Sequence, residues 1–103
     1  LDYFKKISGR YLIQDNNYNY GKEFTLDKNI LVYIGGYNNG KRNGKGVEYN
    51  ENGIFKFEGE FLNDLKEGLG KEYYLNGKIK FEGEYKKDKK WNGKGYDING
   101  NID

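Results

Sequence analysis

Histidine, cysteine, proline and methionine are absent from these 103 residues, and Trp91 is the single tryptophan. Serine and threonine occur once each, as Ser8 and Thr25. Each absence removes a class of function. Without cysteine there are no disulfides and no thiolate chemistry, which points to an intracellular, cytoplasmic setting. Without histidine or cysteine, a Ser–His or Cys–His nucleophile pair cannot be assembled, so no catalytic residues and no enzyme activity are expected. No run of about 18 apolar residues exists, so no helix is expected to span a membrane. The net charge is only +2, from 18 bases and 16 acids, far from the basic excess of a nucleic-acid binder. The lack of proline leaves every backbone N–H free to join a sheet ladder.

What is present is aromatic, glycine-rich and periodic. Residues 33–56, 57–80 and 81–103 read YIGGYNNGKRNGKGVEYNENGIFK, FEGEFLNDLKEGLGKEYYLNGKIK and FEGEYKKDKKWNGKGYDINGNID. Tyr33, Phe57 and Phe81 superpose, as do Gly35, Gly59 and Gly83, and Tyr37, Phe61 and Tyr85. A degenerate copy occupies 1–32, where Gly9 and Tyr11 echo the first motif and Gly21-Lys22-Glu23-Phe24 echoes Gly70-Lys71-Glu72-Tyr73. A fixed period near 24 residues marks an array in which each unit buries its apolar face against its neighbours. The chain is expected to be one continuous array from a larger protein: a degenerate segment, then three tandem units.

Within each unit the alternation is strict. Phe55, Phe57, Gly59 and Phe61 share one parity and Lys56, Glu58 and Glu60 the other; 79–85 and 31–37 behave alike, and Ile7, Gly9 and Tyr11 follow. Such alternation is a strand with one apolar face. Second strands are expected over 21–26, 44–49, 68–75 and 93–97. Asn52-Gly53, Asn76-Gly77 and Asn99-Gly100 predict tight hairpin turns between units, and 38–43, 62–67 and 86–92 read as longer polar loops. The glycines between aromatics leave room for a ring to lie across the backbone. The expected fold is therefore all-β: a single-layer, twisted antiparallel meander of roughly eight strands.

These units resemble the MORN (membrane occupation and recognition nexus) repeat, approximately Y-x-G-x-[YF]-x-x-G-x-x-x-G-x-G-x-x-x-[YF]…G. Residues 33–56 match throughout, 57–80 match with Asp64 where Gly is commoner, and 81–103 match as far as Trp91. The resemblance implies a β-hairpin strip serving as scaffold, dimeriser or docking groove, in cytoskeletal, ciliary or membrane-associated settings. KEYYLNGK (71–78) also resembles hairpins of choline- or glucan-binding repeats, whose paired tryptophans form a cation cage; this chain has one tryptophan.

No cofactor or metal site is expected. Asp15-Asn16-Asn17-Tyr18-Asn19 opens like a calcium loop, but Tyr20 replaces the required glycine and Leu26 the bidentate glutamate. GKRNGK (40–45) is one spacer short of a phosphate loop, and Gly46 stands where a magnesium-binding hydroxyl belongs. Two surfaces remain. The aromatic ladder of Tyr33, Tyr37, Tyr49, Phe57, Phe61, Tyr73, Phe81 and Tyr85 is expected to stay partly open and bind a protein partner, a helix, an extended segment or a second copy. Glu58, Glu60, Glu82 and Glu84 would orient that partner through salt bridges. Alternatively, a basic rim of Lys41, Arg42, Lys86, Lys87, Lys89 and Lys90 would meet anionic lipid headgroups, each base contributing about 1 kcal/mol. A third reading makes the segment an accessory to an enzyme domain elsewhere in the full-length chain.

Overall fold

The computed structural model describes residues 3–7, 9–15, 17 and 19–103, with the side chains of Tyr3, Phe4, Lys5 and Ile7 left aside. The expectations for Ser8, and for Asn16 and Tyr18 of the calcium-like stretch, lie outside the described residues, as does the face presented by the Ile7 side chain. Nine strands form one antiparallel sheet in chain order. They are β1 (Tyr3–Ile7), β2 (Arg10–Gln14), β3 (Tyr20–Thr25), β4 (Leu31–Asn38), β5 (Lys41–Tyr49), β6 (Phe55–Leu62), β7 (Leu65–Tyr73), β8 (Ile79–Lys86) and β9 (Lys89–Gly95). No helix occurs among the described residues. The strip measures 47 × 27 × 19 Å.

The all-β meander is as the alternation predicts, with two corrections. Gly9 does not continue a strand from Ile7 to Tyr11; it takes φ +69° in the turn between β1 and β2, which makes the ninth strand. The turns also exchange roles. The polar stretches within units tighten to two-residue turns at Asn39-Gly40, Asn63-Asp64 and Lys87-Asp88, every one at positive φ, the geometry that matches strand twist. Between units the loops are longer. Asn50 N–H donates to Ile54 O and Gly53 N–H to Asn50 O, and in the three Asn-Gly turns Gly53, Gly77 and Gly100 take positive φ, not the preceding asparagines; in the loop before β4 it is Asn29, at φ +56°.

A glycine rung crosses the sheet: Gly21, Gly35, Gly46, Gly59, Gly70, Gly83 and Gly93 are successive cross-strand partners from β3 to β9. The packing explains it. A Cβ on Gly46 would sit 2.2 Å from the Tyr33 hydroxyl, and one on Gly70 2.6 Å from the Phe57 ring. Tyr33 therefore lies against Gly35 and Gly46, Phe57 against Gly59 and Gly70, and Phe81 against Gly93. Breaks in register between Gly35 and Tyr37 and between Gly59 and Phe61 bend the strands around these rings.

Candidate interaction surface

The two faces of the sheet have opposite characters. On one, Tyr33, Tyr37, Phe57, Phe61, Phe81 and Tyr85 are buried, with Tyr33 and Phe57 at 0% exposure. Their rings pack edge to face in an unbroken series: Tyr37–Tyr33–Phe61–Phe57–Tyr85–Phe81, with centroids 5.3–5.5 Å apart. This corrects the expectation that the ladder lies open. The rings cover one another, and charged side chains cover the rings.

Those charges come from the strand paired to each aromatic strand. Tyr37, Phe61 and Tyr85 stand opposite Arg42, Lys66 and Lys90; Tyr33 and Phe57 stand opposite Glu48 and Glu72. Arg42 lies 4.2 Å over the Tyr33 ring, Lys66 4.3 Å over Phe57 and Lys90 5.1 Å over Phe81. Arg42 bonds Glu23 through Nε at 2.8 Å and Nη2 at 3.1 Å, and Glu48 through Nη1 at 2.9 Å. Lys66 approaches Glu48 at 3.7 Å, and Glu72 takes Lys80 and Lys90 at 3.7 and 3.9 Å. The Tyr37 and Tyr85 hydroxyls donate to Glu23 and Glu72. Burial opposes ionisation of Glu23. The Arg42 hydrogen bonds and charge, then Tyr37 and Arg10, outweigh it and hold the carboxyl below its ordinary pKa. Burial, the carboxylate partner and nearby charge all push the Tyr85 phenol up.

This ionic row escaped the sequence reading. Its signal is the 24-residue spacing of Arg42, Lys66 and Lys90, and the shared place of Glu23, Glu48 and Glu72 after Gly21, Gly46 and Gly70. Arg42 is accordingly lost to the lipid rim, being only 7% exposed. Lys86 lies 4.2 Å over Trp91, and Lys90 belongs to the ionic row. Lys41, Lys87 and Lys89 remain exposed at the hairpin tips. Asp64 and Asp88 share those tips, their carboxylates accepting the N–H groups of Arg42 and Lys66 at 2.7 Å.

The other face is open. Along the glycine rung runs a groove of about 930 Å³, with Gly35, Gly46, Gly59, Gly70, Gly83 and Gly93 in its lining. Ile34, Val47, Leu69 and Tyr20 supply apolar surface, and Lys45, Glu58, Glu60, Lys71, Glu82 and Lys94 line it with both charges. One row reads straight across the strands: Ile34, Val47, Glu58, Lys71, Glu82, Lys94. Leu69 is 64% exposed at its centre. The four glutamates expected to orient a partner sit on this face, away from the buried ladder. Glu58 accepts from the Tyr73 hydroxyl, Glu82 from the Tyr96 hydroxyl, and Glu60 from the Leu69 N–H. Among the described residues none of the four makes an ion pair. The ladder thus divides: Tyr73, its hydroxyl on Glu58, and Tyr49 belong to a separate half-buried cluster around Phe55, whose ring lies 4.5 Å from that of Tyr73 and 6.1 Å from that of Tyr49.

An open single sheet of stacked hairpins, closed on one face by its own rings and grooved on the other, defines a β-hairpin repeat strip. The MORN repeat family model matches residues 33–54 and 57–79, so these two units are MORN repeats. No curated protein matches the chain. MORN repeats are non-catalytic modules for interaction with proteins or membranes.

Proposed function

We propose that this array is a non-enzymatic protein-interaction module that holds a partner segment along its glycine-floored groove. The observation that carries the reading is the asymmetry of the faces. Six aromatic rings on one side are consumed in packing, whereas Ile34, Val47 and Leu69 on the other line a groove running across strands β4 to β9 that no other described residue covers. Six strands at about 4.8 Å span roughly 24 Å, enough for about 16 helical residues or seven extended ones. Apolar contacts would supply affinity, and the alternating Glu58, Lys71, Glu82 and Lys94 would set register. Peripheral membrane binding has less to work with, because among the described residues Lys41, Lys87 and Lys89 alone of the rim make no ring contact or ion pair, and they stand beside Asp64 and Asp88.

A photo-crosslinking phenylalanine analogue at position 69, compared with one at position 87, tests this in cell extract. Protein adducts are expected from position 69 and few from 87. Lipid adducts from 87 and none from 69 would reverse the reading in favour of the membrane.

A further inference from the structure

Six asparagines precede a glycine in this chain: Asn39, Asn43, Asn52, Asn76, Asn92 and Asn99. That dipeptide carries its own chemistry, because a glycine without Cβ leaves its main-chain nitrogen open to the preceding side chain. Once deprotonated, the nitrogen attacks the asparagine Cγ. A new C–N bond closes a five-membered succinimide and the Cγ–Nδ2 bond breaks. Nδ2 leaves as ammonia, carrying the proton that the glycine nitrogen gave up. One water then opens the ring to aspartate or isoaspartate. The balance is asparagine plus water to acid plus ammonia, with no oxidant or reductant.

The structure separates the six. In the loops between units the attacking nitrogen is occupied: the N–H groups of Gly53, Gly77 and Gly100 donate to the carbonyls of Asn50, Tyr74 and Asp97 at 2.9 Å. The Asn76 side-chain oxygen also accepts the Lys78 N–H at 3.0 Å. Glu51 adjoins Asn52, and Asp97 stands two residues before Asn99; a negative charge nearby opposes loss of the nitrogen proton. Asn43 is half-buried within β5, which pairs with β4 on one side and β6 on the other. Asn92 lies in β9 opposite Glu84.

Asn39 differs on each count. It is exposed at the tip between β4 and β5, and among the described residues nothing bonds its side chain or the Gly40 N–H. The next two tips are clasped. Asp64 and Asp88 each donate an N–H to the carbonyl of Arg42 or Lys66 and accept that residue's N–H on the carboxylate. Gly40 stands in their place in the first tip and has no carboxylate to form the clasp. Asn39 rests at φ +53° and must rotate to bring Cγ over the Gly40 nitrogen, a local opening that an unclasped tip permits. Its surroundings are cationic: Asn39 lines a cavity of about 390 Å³ with Arg10, Lys41, Arg42, Glu23 and Asp64, three bases against two acids. Those bases favour the deprotonated nitrogen and then the new carboxylate. We propose that Asn39 is the preferred site of spontaneous deamidation in this chain, giving an aspartyl or isoaspartyl residue at the β4–β5 tip. The product brings the charge of that cavity from a net +1 to zero. The site lies outside the groove.

The test ages the folded protein at mildly alkaline pH beside a sample held unfolded in urea. Mass mapping of peptides locates each amide-to-acid conversion, and methylation by an isoaspartate-specific methyltransferase counts the isoaspartyl product. In the folded protein Asn39 should convert several-fold faster than any of the other five, whereas in urea the six should react at comparable rates. Gly40→Asp gives this tip the residue that Asp64 and Asp88 carry at φ +72° and +71°, so it should keep the fold and suppress conversion at Asn39. Conversion led by another asparagine in the folded protein, equal rates at all six, or no conversion at Asn39 while the urea sample reacts would overturn the proposal.

Discussion

Arg42→Ala should be the most damaging single change to the ionic row, and its pH dependence should be diagnostic. The guanidinium satisfies two carboxylates, Glu23 and Glu48, whose side chains are 5% and 15% exposed, and covers the Tyr33 ring. Removing one member of a buried ion network strands the others at a cost of about 3–5 kcal/mol. In the intact chain the Glu23 pKa lies below its ordinary value of 4.5, because Arg42, Tyr37 and Arg10 together overcome burial. A depressed folded pKa contributes stability that is present above the unfolded value and lost as pH falls through the folded one. In Arg42→Ala, burial dominates and lifts the Glu23 pKa, so ionisation of Glu23 then costs stability as pH rises. The deficit of the variant should therefore widen from about pH 4 to pH 7. Urea midpoints across that range read it directly. Arg42→Lys, which keeps the charge but not the fork to Glu23, should fall between the two. A deficit below about 1 kcal/mol, or one independent of pH, would refute the reasoning.

Three further outcomes follow from the same packing. Gly59→Ala would place a Cβ 2.6 Å from both Gly70 Cα and Leu69 O and should cost about 3 kcal/mol or more; Gly77→Ala, with nothing within 4 Å but φ +87°, should cost about 1–2 kcal/mol, both read by urea denaturation. Asp88→Ala should cost about 1 kcal/mol and raise the exchange rate of the Lys66 amide selectively, since only that hairpin tip is released. Burial, then the Glu58 hydrogen bond and charge, push the Tyr73 phenol up to about 12. Its contribution to stability should persist below the ordinary tyrosine value of 10.0 and fade as pH rises through the folded one, and Glu58→Gln should bring a spectrophotometric titration of Tyr73 back toward 10.0.

The repeat, the alternation and the ring-over-glycine packing were legible because each follows from spacing alone. Phe57, Gly59 and Phe61 share a parity in any strand, and only a residue without Cβ fits beneath the Phe57 ring. The ionic row was not legible, because Arg42, Lys66 and Lys90 fall in stretches whose polarity reads as loop. Parity extended back from Glu48 through Gly46 and Gly44 would have placed Arg42 on the aromatic face. What hides it is that this thin sheet closes its core with charges rather than with a second apolar layer. The same fact hid the burial of the rings: with no covering layer in view they read as exposed, whereas edge-to-face stacking and the overlying cations seal them. The turns were exchanged for a different reason. Asn-Gly suits both two-residue and three-residue loops, and the choice is set by where strand pairing stops, at Leu62 and Leu65 in the middle unit.

The most direct test of the groove as the interaction surface is the partner affinity of Leu69→Asp beside that of Phe55→Ala, for the protein captured through position 69. Leu69 is 64% exposed and contributes little to the fold, so its variant should stay as stable as the parent. The account predicts at least a tenfold loss of affinity for Leu69→Asp, about 1.4 kcal/mol, and little change for Phe55→Ala once folding is verified. Unchanged binding by a folded Leu69→Asp chain would contradict it.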